Sequence, residues 1–321
     1  MTPSHTGAIV LSARRLLAQK GRTFQLASWL LPRDSRDDAA VVYAFCRRAD
    51  DLADDHADLE GIEAMRTELR HPTSPLMLAF AEVASRRRIP LQAADDLLKG
   101  VASDIRPPVG AAPGGLPSIR AVADDAALIA YAYAVAGTVG LMMARLLGAE
   151  RKEALPHAVD LGIAMQITNI CRDVVEDAAL GRVYLPADRL RRVGIDGEHI
   201  VNRVRASPEV RRAAFEVVRD LIELADAYYG SAFNGLGALP LRTRRTALAA
   251  ASLYHGIGDE VLRRGPDGLL GRAVVPPLRK ARLLFSALCR APALLFVAHQ
   301  PPAGRPVHFY FKIDSKLTHP A

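Results

Sequence analysis

The stretch DLGIAMQITNICRDVVEDAALGR, Asp160 to Arg182, carries two patterns that compete for the same helix. At about 100° per residue, Gln166, Asn169, Asp173 and Asp177 recur every three or four positions and form a single stripe. Leu161, Ile163, Met165, Ile167 and Ile170 cover most of the remaining circumference of its first half. A helix that is apolar on nearly all sides belongs in a core. A buried amide and carboxylate stripe must then meet positive charge, because an isolated carboxylate in a low-dielectric interior is very costly. The stretch reads as one long helix, closed by the glycine and proline of GRVYLP, Gly181 to Pro186.

Working outward, a second acidic segment lies upstream. YAFCRRADDLADD, Tyr43 to Asp55, holds four aspartates in its last six residues, although like charges four apart on a helix repel. Tyr43, Arg47, Asp50 and Asp54 share one stripe, while Val41, Phe45 and Leu52 lie opposite. Alone, this pattern fits a solvated face. Two DxxxD segments, each with arginine or amide neighbours on the same face, change the weighing. Arginines in a structural salt-bridge network remain the competing reading. Oxygen-only donors with no His or Cys alongside are what hard Mg²⁺ prefers, and Mg²⁺ usually keeps positions for water and substrate phosphate. Arg47 and Arg172 would then meet phosphate oxygens through planar, charge-assisted contacts.

Composition agrees with an all-α chain. Half of the 321 residues are hydrophobic, and alternating β-branched runs are scarce. Helical patterning runs from Ile9 to about Leu31, from Ser35 to Asp55, from Leu76 to Arg87, and from Pro90 to about Ser103. It resumes after the Pro- and Gly-rich loop Arg106 to Pro117, and later covers Pro208 to Phe233 and Leu241 to Arg264. No linker or fixed-period repeat separates two cores, so residues 1–321 read as one domain; the tail 301–321 is unassigned. The net charge of +7, from 42 basic and 35 acidic residues, suits nucleic acid, an anionic membrane or a phosphorylated substrate alike. No zinc-finger spacing or RNP-like string supports nucleic acid. Cys46, Cys171 and Cys289 lie far apart, and no secretory signal precedes them, so the cytoplasm is the default location. The apolar run Ala126 to Ala144 reads as a buried core helix rather than a span. Leu283 to Ala298 is interrupted by Arg290 and Pro292, which leaves peripheral membrane contact open.

YAFCRRADDLAD and AMQITNICRDVVEDAALGRVYLP closely resemble the two signature regions of the squalene/phytoene synthases. The resemblance runs from about Gly21 to Lys280. It implies an isoprenoid synthase-type helical bundle around a central cavity, and a head-to-head prenyl transfer in which two prenyl diphosphates join C1 to C1 with loss of diphosphate. It further implies Mg²⁺, with Mn²⁺ as a substitute, on Asp50, Asp54, Asn169, Asp173 and Asp177, with Asp51 inside the first motif. Tyr43, Arg47, Gln166 and Arg172 resemble substrate contacts. So do Lys20, Gly21, Arg22 and Thr23, where the family usually carries a serine at the position of Thr23, and Tyr254 and Arg272 near the C-terminal end. Tyr131 resembles a tyrosine placed beside the reacting carbons. VAGTVGLMMARLLG is most similar to the branch that joins two geranylgeranyl diphosphates and needs no NADPH; the alternative is the branch that takes farnesyl chains. Small residues at Ala134, Ala136, Gly137 and Gly140 either admit a neighbouring helix or leave room for a prenyl chain. Relatives often place an acidic residue and a methionine between the glycine and the aspartate of GVASD, Gly100 to Asp104, where this chain has Val101, Ala102 and Ser103. A prenyl-lipid carrier and a nucleic-acid binder are the readings from other classes, and neither needs the paired aspartates. Oligomeric state is left open.

The buried stripe predicts that Asp173→Asn abolishes diphosphate release while leaving the helical circular dichroism spectrum intact. Near-normal turnover would remove Asp173 from the metal set.

Overall fold

A computed structural model describes residues 3–20, 22–54, 57–105, 120–195 and 200–297, apart from the side chains of Pro3 to Thr6, Arg22, Thr23, Arg120, Ala121 and Val201. The described helices are α1 (Pro3–Lys20), α2 (Arg22–Ser28), α3 (Arg33–Asp54), α4 (Leu59–Glu68), α5 (Pro75–Arg87), α6 (Leu91–Ile105), α7 (Asp125–Ala132), α8 (Thr138–Leu146), α9 (Leu155–Arg172), α10 (Val174–Ala179), α11 (Ala187–Arg192), α12 (Ile200–Ala206), α13 (Pro208–Gly235), α14 (Leu241–Arg264) and α15 (Pro277–Arg290). A π-helical turn, Tyr133–Gly137, joins α7 to α8. One short parallel pair, β1 (Arg120–Ala121) with β2 (Arg182–Val183), interrupts the helical pattern.

Local chemistry sets several of these boundaries. Asp58 accepts from the Gly61 N–H at 2.8 Å and opens α4; Asp124 does the same for α7 from Ala127 at 2.9 Å. Ser207 caps α13 just ahead of Pro208, whose missing N–H is no loss in a first turn. α5 ends where Arg88 turns left-handed, at φ 54°. The two-residue strand β2 follows Gly181 at φ +77°, a conformation glycine enters without steric cost.

The helix read from the opening stretch is two helices. α9 stops at Arg172, Asp173 takes φ −108° and ψ 22°, and α10 restarts at Val174. The break changes the aim of the second acidic motif, because Asp177 no longer continues the α9 surface. Three short helices, α4, α11 and α12, lie in segments where no helix is predicted from pattern.

α9 runs through the middle of the bundle and packs against α8, α13, α14 and the π-helical turn. Ile163, Ile167 and Ile170 are fully buried, each worth roughly 1.5–3 kcal/mol relative to exposure. Close helix approach makes this packing work. A Cβ on Gly162 would stand 2.2 Å from the Ala136 carbonyl oxygen, and one on Gly140 2.0 Å from that of Ala158. Gly100 similarly admits Ala134. The small residues of the apolar segment therefore serve helix contact. Asp125–Leu146 is long and apolar enough to cross a membrane, yet Leu128, Leu141 and Met142 are buried inside the bundle.

Gly162→Ala should cost about 1–3 kcal/mol in chemical denaturation, since the added methyl meets backbone rather than a movable side chain. Gly230→Ala, in α13 with open space around it, should be neutral or stabilising by roughly 0.5–1 kcal/mol. Equal effects at both positions would contradict the packing described.

Candidate active site

The C-terminal third of α3 and the α9–α10 break supply two acidic groups that belong to one electrostatic site. On α3, Val41, Phe45 and Leu52 are buried, which turns Tyr43, Arg47, Asp50 and Asp54 away from that packed face, with Asp54 meeting Arg182 of β2 and Tyr43 lying near Tyr254 of α14. Arg47 pairs with Asp51 one turn on. Arg182 reaches across from β2 and donates to Asp54 Oδ1 at 2.6 Å. The β1–β2 ladder holds the backbone of Arg182 in place, so this bridge between the two motifs depends on a strand pair rather than on a helix.

Around the break, Arg172 grips Asp173 through both carboxylate oxygens, with Nε at 2.7 Å from Oδ1. Arg272 adds a second cation, its Nε 3.2 Å from Asp173 Oδ1. Tyr254 of α14 is buried beside them. Its phenol is pushed up to about 12 by burial, with Arg172 and Arg272 opposing. Phe24 of α2 tilts against Tyr254 at 5.3 Å and Tyr43 at 6.4 Å between ring centroids, making an aromatic wall over this end.

The arginines leave two carboxylates unserved. Burial pushes Asp50 up to about 7, against the pull of Arg47, and Asp54, Asp51 and Asp104 add to the rise. Burial likewise lifts Asp177 to about 7, helped by Asp173 and opposed by Arg182 and Arg172. Neither lies within ion-pair distance of a cation among the described residues. Asn169 Oδ1 and Arg47 Nε are buried with no hydrogen-bond partner among the described residues. Among the described residues, no three acidic, His or Cys side chains converge on one point that could hold a metal ion.

Tyr131 sits in a triad that the sequence reading did not contain. Its ring stacks on Tyr184 with centroids 4.7 Å apart. Both hydroxyls donate to Asp104, at 3.0 and 3.2 Å, and their oxygens lie 3.0 Å from each other. Burial first, then the charge of Asp104, raises the Tyr131 phenol well above its ordinary value. Asp104 also acts on Asp50, and Asp177 on Tyr184, which ties the triad to both motifs. Arg182, Tyr184 and Asp104 are the additional residues of this site. The first two lie in GRVYLP and the third in GVASD, but nothing in the local pattern told that they meet.

Gln166 is half-buried on α9 and Lys20 is exposed at the end of α1. Gly21 and the side chains of Arg22 and Thr23 lie outside the described residues. A cavity of about 490 Å³, lined by Asp37, Asp38, Glu82 and Arg86 among others, lies about 18 Å along α3 from Asp50 and is separate from this site.

The squalene/phytoene synthase family matches residues 17–280. The chain is 34% identical over 314 residues to a 15-cis-phytoene synthase of Pantoea ananas, covering 92% of this chain and 94% of that one. It is 36% identical over 284 residues to a phytoene synthase of Thermus thermophilus, with 86% and 91% covered. A crystal structure of a dehydrosqualene synthase in complex with ligand superposes with TM-score 0.78 at 25% identity, over 90% of this chain and 99% of that one.

The raised carboxyls have a measurable consequence in the metal-free protein. Their folded-state values lie above the ordinary carboxylate value of about 4, so the native state holds protons that the unfolded chain releases, and stability falls as pH rises. In chelator, the thermal midpoint should drop as pH climbs from the ordinary carboxylate range through about 7. An Asp50→Asn/Asp177→Asn variant should show a flatter profile; an identical slope would mean that both acids ionise there without penalty.

Proposed function

Since the chain belongs to the squalene/phytoene synthase family, we propose that it is a phytoene synthase, joining two geranylgeranyl diphosphates head to head through a cyclopropyl diphosphate. The observation that carries the reading is the pairing of the two acidic motifs across Arg182, with arginines and buried phenols on the same site. The C1–O bond of one substrate breaks, and its electron pair leaves with diphosphate. The resulting allylic cation is attacked by the double bond of the second substrate, and loss of a proton closes the cyclopropane ring. Departure of the second diphosphate, rearrangement and loss of another proton give the hydrocarbon. Two diphosphates and two protons leave, so the electrons balance with no reductant, and NADPH is not required.

The chain's own groups match these needs. Arg172 and Arg272, already turned toward Asp173, are placed to exchange that carboxylate for diphosphate oxygens with charge-assisted contacts. Phe24, Tyr43 and Tyr254 cover the same end, where water must be kept from a cation. The stacked Tyr131 and Tyr184 rings, held by Asp104, offer electron-rich faces to a passing cation.

Mg²⁺ fits the donors that remain. Asn169 Oδ1, without a partner among the described residues, and the raised carboxylates of Asp50 and Asp177 are oxygen donors that the arginines leave short of positive charge. Asp50 and Asp54 would hold ions on α3, and Asn169, Asp173 and Asp177 on α9 and α10, with Mn²⁺ as a substitute. When bound, the ion neutralises charge building on departing diphosphate oxygens.

Farnesyl chains are the competing substrate, favoured by the fold likeness to a dehydrosqualene synthase. The relatives called phytoene synthase are more similar in sequence, at 34% and 36% against 25%. Purified protein with Mg²⁺ and geranylgeranyl diphosphate should yield a C40 hydrocarbon and diphosphate without NADPH, and neither product in chelator. A hydrocarbon formed from farnesyl diphosphate alone would transfer the assignment to the shorter-chain branch.

A further inference from the structure

We infer that Arg36 is a positioning residue for the prenyl transfer: it fastens the C-terminal end of α2 so that Phe24 stays seated over the site. Along α3, Arg36 precedes Tyr43, Arg47, Asp50 and Asp54 by 7, 11, 14 and 18 positions. At about 100° per residue, all five fall within about 60° of the helix circumference. Arg36 therefore prolongs the acidic stripe by two turns toward the start of α3. Arg47, Arg172, Arg182 and Arg272 each pair with an aspartate. Arg36 forms no ion pair among the described residues.

Its guanidinium serves backbone instead. Nε donates to the Ser28 carbonyl at 3.2 Å, and Nη2 donates to those of Trp29 at 3.0 Å and Leu31 at 3.1 Å. These carbonyls lie at and just beyond the end of α2, where a helix has acceptors without partners and the negative end of its dipole. Ser28 and Leu31 are themselves buried, so the fork holds a fixed point rather than a fraying end. The tether matters because α2 has only 7 residues. A helix that short has no stability of its own and sits where its contacts place it.

Holding that end sets what the rest of α2 covers. Ser28 lies beside Arg36 and Phe24 beside Tyr43, so α2 runs antiparallel to α3 and along its stripe. Phe24 also tilts against Tyr254 of α14, and α2 packs on α1 and α14. A guanidinium confined to one helix end thus fixes a ring four residues away, over the phenol that Arg172 and Arg272 adjoin. An allylic cation formed there persists only while water is kept out. This purpose rests on the function proposed above, whereas the tether itself does not.

In Arg36→Ala, kcat/KM for geranylgeranyl diphosphate should fall about tenfold or more, and the ratio of prenyl alcohol to hydrocarbon among the products should rise, as it should in Phe24→Ala. The alcohol forms when water adds to the allylic cation and a proton leaves, so the ratio reports water access per turnover and does not move when folded enzyme is merely lost. Arg36→Ala/Phe24→Ala should be no worse than Phe24→Ala alone, because Arg36 acts through that ring. Trp29, the single tryptophan of the chain, supplies a readout without turnover. Its fluorescence anisotropy should drop in Arg36→Ala and take an intermediate value in Arg36→Lys, whose ammonium keeps the charge but not the fork. Should Arg36→Ala fail to fold, Arg36→Lys carries both measurements. A wild-type product ratio or a wild-type anisotropy in the folded variant would overturn the inference, whatever its melting temperature, and leave Arg36 as a helix cap only. Absence of turnover in the wild-type protein, with anisotropy still lower in the variants, would keep the tether and remove the function proposed above.

Discussion

Negative charge placed where water is scarce is the constraint around which this molecule is organised. Asp50, Asp51, Asp54, Asp104, Asp173 and Asp177 are drawn toward one end of α3, α6 and α9, and the chain answers with Arg47, Arg172, Arg182 and Arg272. A purely structural salt-bridge network would finish there. It does not finish, because Asp50 and Asp177 remain raised and Asn169 Oδ1 remains without a donor among the described residues. Buried acids that are partnered lower their carboxyl values, as Glu260 does beside Arg263. The metal and diphosphate binding proposed above would complete that neutralisation.

Holding that arrangement requires rigid backbone close to the charges. α9 can run through the bundle only because Gly162 and Gly140 let carbonyl groups of neighbouring helices come within touching distance. The π-helical turn at Tyr133–Gly137 falls in this contact zone. It begins two residues after Tyr131, so the same packing that seats α9 also sets the aim of the tyrosine that stacks on Tyr184. Core packing and site geometry are thus one problem solved by one set of small residues. One buried polar cluster away from the site is satisfied internally. His157 bonds Ser231 and the Val297 carbonyl, and Asp160 accepts from the Ser231 hydroxyl, which fixes the end of the described chain to α9 and α13.

Much of this was legible in residue order. The 3.6-residue recurrence of Gln166, Asn169 and Asp173 against Ile163, Ile167 and Ile170 identifies a buried helix with one polar stripe, and Tyr43, Arg47, Asp50 and Asp54 identify its partner. The motif resemblance then named the chemistry. Periodicity did not show the break at Asp173, since the cue for ending a helix there is neither glycine nor proline. Likewise, a stripe drawn on an unbroken helix misplaces Asp177. The small residues of the apolar segment were ambiguous in sequence because admitting a helix and admitting a chain demand the same absence of side chain.

By itself, then, the sequence determined the all-α class, the two acidic faces and the residue types able to meet a metal and a diphosphate, because each is a local property of spacing and side-chain chemistry. Only the tertiary structure decided that Arg182 spans from β2 to Asp54, that Asp104 joins Tyr131 to Tyr184, and which arginines silence which aspartates. Those choices depend on distances between segments far apart in the chain, and electrostatic energy varies with such distances and with burial, neither of which residue order specifies.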